Sequence, residues 1–249
     1  MTDPLRTRSP LRLLVLAPNW LGDVVMTTPL LSFLHGNRAA VPEAAGRPLE
    51  IHLGIRPAWA DLFRNDPRVD ELVIMERGGP FGGLMGPARL ARFLAGGGFE
   101  AVLLGPPSLR TGLASWLAHI PCRVGYGSDG RSLLLTHALS PLKRGQLHYS
   151  GEMIQLGAVW LQSLGISEPR DRESDLMSSL PGCAGLPAED TGSARPIWAV
   201  APGTTYGEAK TWPLERAAEF LSEALENDAH RVVLLGDGAT RSLAETLEW

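Results

Sequence analysis

The sequence predicts an α/β protein in which parallel β-α-β units recur on either side of one break. Three observations carry this. Short, continuously apolar runs, the first at residues 11–17, alternate with longer stretches of mixed character, as expected of strands covered on both faces. Clusters of glycine and proline punctuate the joins. Apolar residues make up 44% of the 249 and charged residues 20%, the balance of a chain that folds around a core.

Residues 11–17 read as the first strand, and the turn 18–23 leads into a helix over 24–34. Further strands are expected at 49–55, 71–75, 101–104 and 123–126, with helical stretches at 58–64, 84–95 and 109–118. Gly78, Gly79, Gly82 and Gly83 mark a loop, and Gly96, Gly97 and Gly98 end the helix before the strand at 101. A long helix over 148–164 closes at Gly165, a residue suited to the position after a helix. Residues 167–196 are rich in Ser, Gly, Pro, Asp and Glu without periodicity, and read as a connection between domains.

A second β-α-β series follows. Residues 197–201 form a strand, and Pro213 opens a helix where a missing N–H costs nothing. Leu214, Ala217, Ala218, Leu221, Ala224 and Leu225 share one face of it, opposite Arg216, Glu219, Glu223 and Glu226. Residues 232–235 supply another strand, and a helix starts near Ala239. The expected division is a domain over 1–166, a linker over 167–196 and the start of a second domain over 197–249. Two strands do not bury the faces of a doubly wound sheet, so the expectation is a second domain only partly contained in this chain.

Composition excludes several classes. A net charge of −4 gives no electrostatic case for nucleic acid as partner. The basic clusters Arg6, Arg8, Arg12 and Lys143, Arg144 read as solvated surface ahead of a lipid-headgroup role. Cys122 and Cys183, far apart and without companion histidines, support neither a metal site nor a disulfide framework. The apolar run at 13–17 is too short to span a bilayer and has no cleavage site behind it. No Ser-His-Asp arrangement, G-x-S-x-G elbow, H-E-x-x-H site or dinucleotide fingerprint is present.

Chemistry concentrates at two strand-to-helix turns, at the strand ends where open α/β sheets bind ligands. In the first, Ala17-Pro18-Asn19-Trp20-Leu21-Gly22-Asp23, Asp23 is either a helix N-cap or a general base facing a cleft. Trp20 is core filling or a platform for a sugar face. In the second, residues 201–213, Gly203, Thr204, Thr205 and Lys210 precede a helix and offer N–H donors, hydroxyls and a positive charge to a phosphate. Ordinary polar-loop chemistry accounts for that composition equally well. Asp237 after the next strand reads as a turn residue.

Together these turns resemble the ADP-heptose:lipopolysaccharide heptosyltransferases, and most closely the heptosyltransferase II type. Residues 13–23 resemble the family's opening strand and W-[VL]-G-D turn; residues 202–213 resemble its P-G-x-x-x-G-x-A-K-x-W-P segment. The stretches 66–70, 107–111, 123–126 and 129–131 agree. The resemblance implies a GT-B architecture of two Rossmann-like doubly wound domains, the second incomplete here. It implies transfer of heptose from an ADP-heptose donor, with inversion, to the inner core of lipopolysaccharide. By the same resemblance Asp23 is the catalytic base. Gly203, Thr204, Thr205 and Lys210 hold the donor diphosphate, Lys210 offsetting the charge of the leaving group. Asn19, Trp20, Arg110 and Arg131 meet the acceptor. No metal or other cofactor is implied, and the place of action is the cytoplasm or the inner face of the inner membrane, with at most peripheral contact. Two rival readings stand beside it: another GT-B nucleotide-sugar enzyme such as an epimerase, and a catalytically silent fragment that binds core sugars.

Overall fold

The computed structural model describes residues 9–76, 81–128, 130–143, 145–167, 169, 197–203, 212–226 and 231–236. The chain divides into two compact units, Met1–Ala184 and Gly185–Trp249. Cys183, Asp237, Gly78 and Gly79 lie outside the described residues, as do nearly all of the expected linker and the helix expected near Ala239.

The first unit is a six-stranded, wholly parallel sheet in the order β3-β2-β1-β4-β5-β6. Its strands are β1 (Leu11–Leu16), β2 (Leu49–Ile55), β3 (Glu71–Ile74), β4 (Ala101–Leu104), β5 (Cys122–Tyr126) and β6 (His137–Leu139). The helices are α1 (Leu21–Val25), α2 (Thr28–Gly36), α3 (Val41–Ala45), α4 (Pro57–Ala60), α5 (Gly86–Gly96), α6 (Leu109–Leu117) and α7 (Tyr149–Ser163). Successive side chains of a strand point to opposite faces, and β1 feeds two cores. Leu13 and Val15 pack with Phe33 of α2 and Trp160 of α7; Leu14 and Leu16 pack with Leu90 and Leu94 of α5 and Ala114 of α6. The order reverses between β1 and β4, which opens a crevice at their carboxyl ends.

The helix expected over 24–34 is two helices. Pro29 has no N–H to give the Val25 carbonyl, and the Thr28 hydroxyl bonds that carbonyl instead at 2.8 Å. The Thr27 hydroxyl does the same for Asp23 O at 2.9 Å. The first helix therefore ends at Val25 and the second starts at Thr28. Gly165 does follow α7, with φ of 88°, and the N–H groups of Gly165 and Ile166 donate to Gln162 O and Leu161 O, a Schellman closure. The stretch 66–70 fastens the opposite edge. Arg68 pairs with Asp66 at 2.7 Å and donates to Ser32 Oγ, while Asp70 accepts from Ile51 N at 2.7 Å.

The second unit contains β7 (Ile197–Val200) and β8 (Arg231–Leu234), paired in parallel, and α8 (Leu214–Glu226). Ala217 and Leu221 of α8 are fully buried, and Phe220 stacks on Trp198 with Trp212 beside it.

Candidate active site

At the carboxyl ends of β1 to β4 lies a cavity of about 460 Å³. β1 contributes Leu16 and the turn Ala17, Pro18, Asn19, Trp20 and Asp23; β2 contributes Gly54, Ile55 and Arg56. Glu76 follows β3, and Ser108, Arg110 and Thr111 begin α6, with Tyr149 at the start of α7. Only the parallel register brings these distant segments to one rim.

The floor depends on an absent side chain. A Cβ on Gly54 would stand 2.6 Å from Leu16 Cδ2, well inside contact distance, so a larger residue there would push into the cavity lining. The wall is fixed by a carbonyl. Asn19 O accepts from Trp59 Nε1 at 3.1 Å and from Arg56 Nη1 at 3.4 Å, which holds the backbone of the first turn against β2 and α4. Trp20 is the N-cap of α1 in extended backbone, without a side-chain cap. It remains 47% exposed at the cavity rim.

Asp23 sits in the first turn of α1 rather than at its cap. Its carboxylate has no hydrogen-bond donor among the described residues, and partial burial raises its pKa above the ordinary carboxylate value. A carboxylate that is partly desolvated and uncommitted has retained its capacity to accept a proton. Tyr149 shares this environment: burial first, then the charges of Asp23 and Glu152, push its phenol well above the ordinary range. Burial raises Glu152 as well, against a lowering contribution from His148.

Arg110 lies on the same wall, and its Nη2 is buried without a hydrogen-bond partner among the described residues. The guanidinium occupies the space that a side chain at Gly86 would fill. A buried, unpaired guanidinium nitrogen is costly unless a ligand supplies an acceptor. Arg131 is placed elsewhere. It is fully buried and donates to Tyr126 O at 2.6 Å, Pro106 O at 2.6 Å and Leu104 O at 3.5 Å. Its guanidinium ties the ends of β4 and β5 together and shapes the loop before α6, away from the cavity wall.

In the second turn, Gly203 is exposed and Pro202 O accepts from Trp212 N at 2.9 Å, closing the two ends of the loop. Thr204, Thr205 and Lys210 lie outside the described residues. Among the described residues no group of three His, Cys, Asp or Glu is placed to hold a metal ion. Arg56, Glu76, Ser108 and Tyr149 were not singled out from sequence; each stands next to a strand end or helix start, but only the strand order marks those ends as a common rim.

The sequence profile of glycosyltransferase family 9 (heptosyltransferase) matches residues 88–248. Lipopolysaccharide heptosyltransferase 2 of Salmonella typhimurium is 28% identical over 91% of this chain. The chain spans 63% of that relative's length. Among solved structures, Escherichia coli ADP-heptose lipopolysaccharide heptosyltransferase II has a TM-score of 0.68 at 23% identity, covering 95% of this chain and 68% of its own. Escherichia coli heptosyltransferase WaaC with ADP-2-deoxy-2-fluoro heptose has a TM-score of 0.64 at 19% identity, covering 95% of this chain and 73% of its own. With the profile matched over well more than half of its residues, this chain belongs to glycosyltransferase family 9, the heptosyltransferases.

Proposed function

We propose that this protein transfers heptose from ADP-heptose to a sugar hydroxyl of the lipopolysaccharide inner core, with inversion at the anomeric carbon. The observation that carries the reading is the Asp23 carboxylate, which lines a sugar-sized cavity at the sheet's switch point and is partly desolvated. Asp23 takes the proton of the acceptor hydroxyl as its oxygen attacks the anomeric carbon, and the bond from that carbon to the ADP oxygen breaks. The electron pair leaves with the diphosphate. Arg110 offers a guanidinium to an acidic group of the acceptor, while Asn19 and Trp20 form the wall on which the sugar rests. Arg131 serves this wall from behind, by fixing the Pro106 carbonyl.

The donor side rests on resemblance alone: Gly203, Thr204 and Thr205 hold the diphosphate, and Lys210 offsets its developing charge. The names of the relatives support the donor and acceptor assignments. The resemblance supports action in the cytoplasm or at the inner face of the inner membrane; among the described residues no helix is long and apolar enough to cross a membrane.

The test is ADP release with ADP-heptose and a heptose-terminated core acceptor. Asp23→Asn is expected to lower kcat by roughly 10²–10⁴-fold, the usual weight of a general base, with donor affinity nearly unchanged. Wild-type turnover in that variant would remove Asp23 from the mechanism. Lys210→Ala is expected to weaken donor binding and slow transfer together.

A further inference from the structure

We propose that the outward face of α6 is a docking surface for an anionic lipid bilayer. α6 is built the reverse of an ordinary surface helix. Its buried side is small: Gly112, Ala114 and Ser115, where a Cβ at Gly112 would stand 3.6 Å from Arg131 Cβ and 3.7 Å from Leu134 Cδ1 and Ser115 Oγ is bonded to Thr111 O at 2.8 Å. At about 100° per residue, Leu109, Leu113, Trp116 and Leu117 fall together on the other side. Trp116 is 47% and Leu109 48% exposed. Leu133, in the turn that packs against α6, is 92% exposed. A contiguous apolar stripe where charged residues are expected marks a contact surface.

Charge decides the occupant. α5 packs beside α6, with its Arg89 and Arg92 exposed, and neither helix contains an acidic residue. The exposed charges of this helix pair, Arg89 and Arg92, are therefore of one sign, in a protein of net charge −4. Tryptophan and leucine at the centre, with arginine alongside, is the pattern of a helix lying in a lipid interface. A twofold contact with a second copy would instead bring the same arginines of both copies to one interface. The same helix supplies Ser108, Arg110 and Thr111 to the cavity, so docking through α6 sets the cavity beside the lipid surface.

The experiment is cosedimentation of the full chain with phosphatidylcholine vesicles and with vesicles that also contain phosphatidylglycerol. Binding is expected only to the anionic vesicles and is expected to weaken as salt rises. Leu109→Ser with Trp116→Ser should lower the bound fraction about tenfold. Arg92→Glu, which leaves the apolar stripe intact and guards against a misfolded double variant, should lower it several-fold. Wild-type protein that stays in solution, or binding that survives both variants, would overturn the proposal. So would a dimer in sedimentation velocity that the double substitution dissolves while vesicles recruit nothing. No sugar donor or acceptor enters the assay, so its failure leaves the transferase reading standing, and loss of that reading leaves the docking result standing.

Discussion

The strand pairs β1–β2 and β7–β8 follow the same sequence grammar and end in different surroundings. Both are short parallel apolar runs followed by a turn and an amphipathic helix. Leu13, Leu14 and Val15 are completely buried, whereas Ile197 is 52% and Val233 40% exposed. Among the described residues, β1 has strands on both edges and helices against both faces, and β7 has one neighbouring strand and α8. An apolar run therefore specifies a strand, while the number of layers around it specifies how much that run contributes to stability. In the first unit the covered strands bring a partly desolvated carboxylate to the cavity rim.

The comparison is tested first in the two sheets. Leu103→Ala, at a completely buried position of β4, should cost about 2–5 kcal/mol in denaturant unfolding. Val233→Ala in β8 should stay within about 0.5 kcal/mol. Equal losses would mean that β8 is covered as fully as β4 and would break the contrast. Arg131→Met comes next. Removing the guanidinium leaves the carbonyls of Tyr126 and Pro106 without its donors, at a cost of about 1–3 kcal/mol, and should disturb acceptor KM through the displaced loop. Gly86→Ala acts on the cavity and on the backbone before α5: the methyl group would meet both the Arg110 guanidinium and the Phe81 carbonyl oxygen, and acceptor KM should rise about tenfold, or about 1.4 kcal/mol, together with a loss of stability.

The smallest effect separates function from stability. Desolvation raises the folded-state pKa of Asp23, so the folded chain binds more protons than the unfolded chain between the unfolded value and the folded one. Stability is lost as pH rises through that window. Asp23→Asn should therefore raise the unfolding temperature slightly at neutral pH and give no such gain below the ordinary carboxylate pKa. A lower unfolding temperature at neutral pH would show that the carboxylate holds the turn together rather than standing ready in the cavity.

Much of the first unit was legible in the sequence because buried parallel strands are continuous apolar runs. The expected strands at 49–55 and 101–104 coincide with β2 and β4. β6 was not, since His137-Ala138-Leu139 is three residues long and carries no apolar run. The break between α1 and α2 hung on Pro29, which reads equally as the first turn of a new helix or a kink in an old one. Asn19, Trp20 and Arg110, read from local turns and resemblance, line the cavity beside Asp23. Arg56 and Tyr149 join them only through the order of the strands, which no local window contains. For Arg131 the sequence supplied a charge, but not the three carbonyls that take up its donors.

The most direct measurement is the pH dependence of kcat/KM for the acceptor, in the wild type and in Asp23→Asn. The wild type should lose activity on acidification with an apparent pKa above the ordinary aspartate value, and that limb should be missing from the residual activity of the variant. An unchanged acidic limb at wild-type rate in Asp23→Asn would contradict the assignment of Asp23 as the base.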